Sequence, residues 1–355
     1  MSRQRKSPEE LTPREARDRY LRRRRPDASD RSISTWEYRL KLFTEWCDSV
    51  GIRNVGNLKR YDIDEFYELR SSEIAPATLE GEMWTFKMFI RFLEDIGAVE
   101  QGLADAVRIP DLDEDDRTDD TKLHTDAALA LLRYYRDSPK HYGSRLHAFF
   151  ELAWVTGARQ GGIRALDLQD CELGNSPYVE FRHRPETDTP LKNKVRGERP
   201  VALPKPTANA LQAYIDNERY DTRDEFGRQP LLSSNQGRPH ENTMRTWSYV
   251  STQPCLHSEC PHGKSRESCE WVDIHHGSKC PSSRSPHPIR TGAITYMLNA
   301  GWPPEDVAER VNSSVETIEQ HYDKADPEER RQRLRDRMEN RRRNLVVNTE
   351  FTNDF

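Results

Sequence analysis

Hydrophobic mass is what this chain has least of. Of 355 residues only 34% are hydrophobic, and the mean hydropathy is -0.97. No apolar run approaches the roughly 20 residues that a membrane-spanning helix needs. The basic N-terminus also lacks the hydrophobic segment of a secretory signal peptide, so the cytoplasm is the expected place. Cysteine is scarce as well, with 6 in the whole chain, which argues against a disulfide-stapled scaffold. No internal repeat stands out, so a solenoid or array is not indicated. Disorder is not implied either, because 7 Trp, 13 Tyr and 11 Phe supply bulky anchors. The length suits two domains, each able to bury a core.

An excess of positive charge is also missing: 55 Lys and Arg stand against 60 Asp and Glu, a net charge of -5. The distribution matters more than the sum. Basic residues gather at 22–25, at 192–199 and at 330–343, while acids concentrate at 111–120. Such segregation permits a basic groove on an acidic body.

Residues 1–30 are charged and contain proline, and are expected to form a basic flexible or partly helical arm. A capping box at Ser34–Glu37 opens a helix on which Trp36, Leu40, Phe43, Cys47 and Val50 recur at helical spacing. A second helix is predicted over 62–70. A third begins at Pro76 and buries Leu79, Met83, Phe86, Ile90 and Leu93. These helices make a small domain over 31–110. The acidic stretch 111–121 is almost devoid of apolar residues and reads as a linker. Beyond it, over 122–325, helices are predicted at 127–135, 144–156, 205–219, 241–251, 286–299, 303–311 and 315–322, with strands at 178–181 and 200–203. The polar, basic stretch 187–199 then becomes a hairpin tip, and 326–355 a charged C-terminal helix and tail. The fold class expected is mainly α with a small β-hairpin or sheet.

Two motifs carry chemistry. In Ser285-Pro286-His287-Pro288-Ile289-Arg290-Thr291, residues 287, 290, 291 and 294 share one helix face, so His287 and Arg290 converge on one anionic group. A short amphipathic segment, Thr317-Ile318-Glu319-Gln320-His321-Tyr322-Asp323, then supplies a phenol. A phenol, an imidazole and a guanidinium suit attack by tyrosine on a phosphodiester, with cationic donors holding the charged oxygens. Upstream, the apolar face of Leu146, Phe149, Phe150 and Ala153 ends at Thr156-Gly157, as a glycine C-cap would have it, and Arg159 opens the next turn.

With Thr156-Gly157-Ala158-Arg159 joined to His287-Pro288-Ile289-Arg290 and Tyr322, the chain resembles the tyrosine recombinases of the phage-integrase family, Xer-like enzymes and the integrase-like proteins of salt-loving archaea. The resemblance covers about residues 30–325. It implies a helical, SAM-like core-binding domain and a catalytic domain that together encircle double-stranded DNA as a C-shaped clamp, self-association into a tetramer on DNA, and no nucleotide cofactor or catalytic metal. It also implies site-specific cleavage and rejoining through a 3′-phosphotyrosine. Arg159 and Arg290 would clamp the scissile phosphate, His287 would orient it and move protons, and Tyr322 would be the nucleophile. The general acid, a lysine on the hairpin, best matches Lys194, with Lys192 as the fallback. The sequence departs from the family pattern twice. Asn312 stands where His or Trp is usual, and Asn donates a hydrogen bond but carries no proton. Gly162 stands where an acid is usual. The rival reading is therefore a catalytically weak or inactive DNA-binding regulator of the same fold; a third is a topoisomerase acting as a monomer.

Four of the cysteines fall between Cys255 and Cys280, among several histidines. In a reducing cytoplasm Cys255, Cys260, Cys269 and Cys280 suggest a structural zinc site, with His257 or His262 able to substitute for one thiolate. The spacing is not that of a tight Cys-x-x-Cys pair. Cys47 sits on the buried face of its helix and is expected in the core, and Cys171 has no assigned role. The acid excess suits a high-salt cytoplasm, where ions compete for phosphate contacts. A shallow slope of log affinity for DNA against log salt is therefore expected in a filter-binding titration, and a steep slope would count against this reading of the charge.

Overall fold

The computed structural model describes residues 6–113 and 120–347. The chain folds into two compact units, divided between Asp119 and Asp120. The expected linker, 111–121, straddles this division, and its residues 114–119 lie outside the described residues, as do 1–5 of the expected arm and 348–355 of the tail.

In the first unit, helix α1 (Pro13–Arg24) begins with a capping box: Thr12 Oγ1 accepts from the Glu15 amide (3.2 Å) and the Glu15 carboxylate accepts from the Thr12 amide (3.0 Å). The arm, expected to be flexible or partly helical, is helical over these residues. Ala16, Tyr20 and Leu21 are buried, and the Tyr20 ring lies 5.6 Å from Phe89 and 5.4 Å from Phe92. Helix α2 (Asp30–Val50) starts at an Ser29 cap, earlier than the Ser34 box, and stops at Gly51 in the left-handed region. Helices α3 (Arg60–Glu73) and α4 (Pro76–Asp95) follow. All five α4 residues expected inside are buried. Phe43 forms the hub, with ring centroids 4.6 Å from Phe86 and 5.2 Å from Phe66. Cys47 is part of this core, and burial pushes its thiol pKa up.

The second unit is built on α5 (Thr125–Asp137), α6 (Arg145–Thr156) and α7 (Gln160–Ala165). An antiparallel sheet of β1 (Cys171–Glu172), β2 (Tyr178–Phe181) and β3 (Arg199–Ala202) follows, in the order β1-β2-β3. Phe181 pairs with Arg199, so β3 begins one residue before the predicted strand, and β1 is an element the alternation pattern did not disclose. Next come α8 (Lys205–Asn217), α9 (Glu241–Ser251), α10 (Pro286–Asn299), α11 (Pro304–Val311), α12 (Val315–His321) and α13 (Pro327–Val347). No helix among the described residues is long and apolar enough to cross a membrane.

The hairpin's base is rigid. Buried Asp167, between α7 and β1, accepts from Arg228 Nε (2.8 Å), Arg238 Nη2 (2.6 Å) and Arg184 Nη1 (3.4 Å), which ties three later segments to one carboxylate. Helix α6 is the core of the unit, with Phe149, Phe150 and Leu152 fully covered. Its one buried carboxylate, Glu151, accepts from Arg136 Nε (2.7 Å) and Nη2 (2.9 Å), from Thr207 Oγ1 (2.8 Å) and from His147 Nε2 (3.1 Å). The His147 tautomer follows because Nδ1 accepts from the Gly143 amide.

Burial alone would raise the Glu151 pKa, but the hydrogen bonds from His147 and Arg136 outweigh it and hold the carboxyl below its ordinary range. A carboxyl held low in the folded state stabilises the fold above its unfolded titration, near about pH 4.3. That contribution is lost as pH falls through the folded value. Urea midpoints measured between pH 7 and pH 3 are expected to fall more steeply for the wild type than for Glu151→Gln; parallel curves would show that Glu151 is not the linked group.

Candidate active site

Three arginines meet at the end of α11. The last carbonyls of any helix lack intrahelical partners and carry the negative end of the helix dipole. Here three consecutive ones are taken by guanidiniums from three different segments. The Arg310 carbonyl accepts from Arg199 Nε (2.6 Å), the Val311 carbonyl from Arg290 Nη1 (2.8 Å), and the Asn312 carbonyl from Arg159 Nη1 (2.7 Å). Asn312, at φ 53, turns the chain out of the helix and presents this row.

Local sequence explains how the segments arrive. Gly157 caps α6 at φ 58, and a Cβ there would stand 2.9 Å from Val311 Cγ1 and 3.1 Å from Met297 Cε. Only glycine lets the α6 end abut the α11 end, and the Gly157 carbonyl then accepts from Arg290 Nη1 at 2.6 Å. Arg159 is the N-cap residue of α7, one turn later. Arg310 itself, from the last turn of α11, donates through Nη2 to Val155 (2.8 Å) and Ala202 (2.9 Å), tying α6 and β3 to the same helix.

The phenol lies on this cluster. Tyr322 follows α12 and is 5% exposed, and the Arg290 guanidinium carbon is 4.9 Å from its ring centroid. The exposed His287 imidazole has its centroid 5.4 Å from the same ring. Arg290 is 1% exposed, and its Nε and Nη2 are buried with no hydrogen-bond partner among the described residues. Burial pulls its pKa down to about 10, with Tyr322 opposing and Arg159 adding to the fall. Arg199 is likewise drawn down to about 10, by burial and then by Arg290, Arg159 and Arg310. Charge of one sign has been concentrated where an anion would relieve it.

The segment carrying Tyr322 is anchored from both sides. Its carbonyl accepts from Thr295 Oγ1 of α10 (2.8 Å). Asp323 accepts two hydrogen bonds from Arg333 of α13, at 2.7 and 2.9 Å, and Arg333 Nε also donates to Asn299 Oδ1 (3.1 Å). Lys122 Nζ completes the anchor, donating to the Lys324 carbonyl (2.6 Å) and to Glu329 (2.9 Å).

The structure thus brings together Arg159, His287, Arg290, Asn312 and Tyr322. Lys194 is exposed on the hairpin tip at φ 54, and Lys192 is exposed beside it. Their loop reaches the cluster through Asn193, whose Nδ2 donates to Asn312 Oδ1 (2.8 Å). Gly162 lies beside Phe181: a Cβ there would make ordinary contact with the ring at 3.4 Å, and the Arg199 guanidinium carbon lies 4.5 Å from that ring's centroid. Sequence reasoning did not single out Arg199, Arg310 or Asn193. The one signal available was that Arg199 ends the basic run just where the second strand starts.

Among the described residues no group of three or more His, Cys, Asp or Glu is arranged to hold a metal ion, and the cysteines of the expected zinc set, Cys255, Cys260, Cys269 and Cys280, with His257 or His262 as substitutes, are free thiols. Polar and aromatic contacts order the segment instead. Arg266 Nη1 reaches Cys255 Sγ and Gln253 Oε1, both at 3.0 Å; His262 Nε2 pairs with Ser282 Oγ (2.9 Å); and Lys264 Nζ lies 4.4 Å from the Trp271 ring centroid.

No family model and no curated protein matches the sequence. Solved structures do match. The Tn1549 transposon integrase in complex with a circular intermediate DNA superimposes with a TM-score of 0.63 at 16% identity, over 92% of this chain and 99% of that one. A lambda integrase dimer bound to a COC′ core site gives 0.59 at 12% identity, over 94% and 82%. The chain has the tyrosine-recombinase fold. The N-terminal domain of a phage integrase/site-specific recombinase from Haloarcula marismortui is 44% identical over 28% of this chain and 97% of that domain, with a TM-score of 0.28.

In this recombinase-like fold the α6 cap has no room for a side chain. Gly157→Ala is expected to cost about 1–3 kcal/mol, from a left-handed backbone and the forced retreat of Val311. A fall in the urea unfolding midpoint measures it; an unchanged midpoint would mean that the α6 and α11 ends do not abut in solution.

Proposed function

We propose that this chain is a site-specific recombinase that cleaves and rejoins double-stranded DNA through a 3′-phosphotyrosine. One observation carries the reading. A buried guanidinium with two unpartnered nitrogens lies over the Tyr322 ring, beside a second guanidinium held on the adjacent carbonyl. An unsatisfied buried donor costs about 1–3 kcal/mol, and a phosphate oxygen against Arg290 would remove that cost.

In this reading the Tyr322 oxygen attacks phosphorus, the bond from phosphorus to the 5′-oxygen breaks, and the departing oxygen takes its proton from Lys194, with Lys192 as the alternative. Rejoining is the reverse, with a 5′-hydroxyl from another strand as attacker. A free phenol has a pKa near 10, so attack requires that its proton be taken. Arg159 and Arg290 hold the non-bridging oxygens through planar donor forks. His287, exposed above Tyr322, orients the phosphate and moves the phenolic proton. Asn312 donates without transferring a proton. No cofactor is called upon. The lambda integrase tetramer bound to a Holliday junction, a structural neighbour with a TM-score of 0.58 at 13% identity, supports assembly as a tetramer on DNA.

A second reading, a DNA-binding regulator without strand transfer, draws on Asn312, which carries no proton, and on Gly162 in place of the usual acid. A duplex nicked near the crossover point separates the two. The wild type is expected to form a covalent protein–DNA band that Tyr322→Phe abolishes. Arg159→Ala and Arg290→Ala should each slow its formation by about 100- to 1000-fold. Binding of the duplex with no such band would leave the regulator.

A further inference from the structure

We infer that Arg199 is a positioning residue: it fastens the hairpin loop that carries Lys194 to the helix end whose carbonyls hold the phosphate-facing arginines. The inference rests on the strand-transfer reading and goes beyond it, to how a proton donor on an exposed loop keeps its place. The two ends of the tie are distant in sequence and adjacent in space. Through Nε, Arg199 donates to the Arg310 carbonyl of α11 (2.6 Å), and through Nη1 to the Gly197 carbonyl at the foot of the loop (2.9 Å). The same guanidinium rests on Phe181, its register partner on β2, with its carbon 4.5 Å from the ring centroid.

The loop meets the helix end closely enough to need such a tie. A Cβ on Gly197 would come within 2.5 Å of Asn312 Nδ2, and Asn193 bonds the Asn312 side-chain oxygen at 2.8 Å. Lys194 lies between these two contacts in a short 3-10 turn, Lys194–Gly197, with its side chain exposed. Nothing in its own packing holds the ammonium in one place, so its reach is set by Asn193 on one side and Gly197 on the other. Arg199 is suited to positioning because Nε and Nη1 are engaged by main-chain carbonyls of the two segments it joins. Its neighbouring charges, from Arg290, Arg159 and Arg310, are positive, so what retains it is the pair of carbonyls and the aromatic face. Lysine cannot replace it: an ammonium has the charge but not the planar fork that bridges two carbonyls while stacking on a ring.

The test uses the full chain and two readouts. Cleavage of a nicked duplex by Arg199→Lys and Arg199→Gln is expected to fall about tenfold or more, with affinity for the duplex nearly unchanged. On the same duplex with sulfur replacing the bridging 5′-oxygen, the departing thiolate needs no proton, and the variants should approach the wild-type rate, as Lys194→Ala should. In parallel, hydrogen exchange followed by mass spectrometry should show amides over 190–198 exchanging faster in Arg199→Gln, with the remainder of the chain and the melting temperature little changed. A defect that persists on the sulfur substrate, or unchanged exchange over 190–198, overturns the inference. If the wild type forms no covalent adduct, the strand-transfer reading fails on its own, and the exchange data still decide whether Arg199 fastens the loop.

Discussion

The candidate site depends on one interaction: the carbonyl end of α11 accepts hydrogen bonds from three guanidiniums at consecutive residues. Like charges at this spacing repel, and buried guanidiniums lose their hydration. A helix terminus answers both difficulties with fixed partial charges that need no counter-carboxylate. A carboxylate there would neutralise the arginines and compete with an incoming phosphate. Main-chain oxygens orient them while leaving their formal charge intact, and Arg290 keeps two nitrogens without a partner among the described residues.

This arrangement gives meaning to residues that look unrelated along the chain. Gly157 is small so that the α6 end can reach Val311, and Asn312 adopts a left-handed conformation so that its carbonyl joins the row. The buried aspartate below the hairpin and the buried glutamate in α6 are paired with arginines outside this cluster. The fold therefore separates two kinds of arginine, those neutralised to build the scaffold and those left charged at the end of α11.

Much of this was legible in the sequence where a single element carried the signal. The periodic residues of α4, the glycine stop of α6 and the shared face of His287 and Arg290 are properties of one helix each, and local sterics suffice to read them. Helix α1 was foreseen only as a partly helical arm, because beyond Pro13 its buried stripe is Ala16, Tyr20 and Leu21 set among arginines, although the Thr12 and Glu15 box marked its start. Arg199 and Arg310 were not legible because their partners are carbonyls of remote segments, and a basic run reads equally well as a solvated surface. The cysteine spacing indicated a cluster, but spacing alone does not say which way side chains turn, and the Arg266 contact to Cys255 had no signal in it.

The clasp between Arg333 and Asp323 has a thermodynamic side. Asp323 is the chain neighbour of Tyr322, so the docking of α13 on its own body and the placement of the phenol share one free energy. Whatever draws that last helix elsewhere must first break a two-pronged ion pair, and it then frees the Tyr322 backbone on that side. Displacement of α13 and freedom of the Tyr322 segment are thereby linked variables.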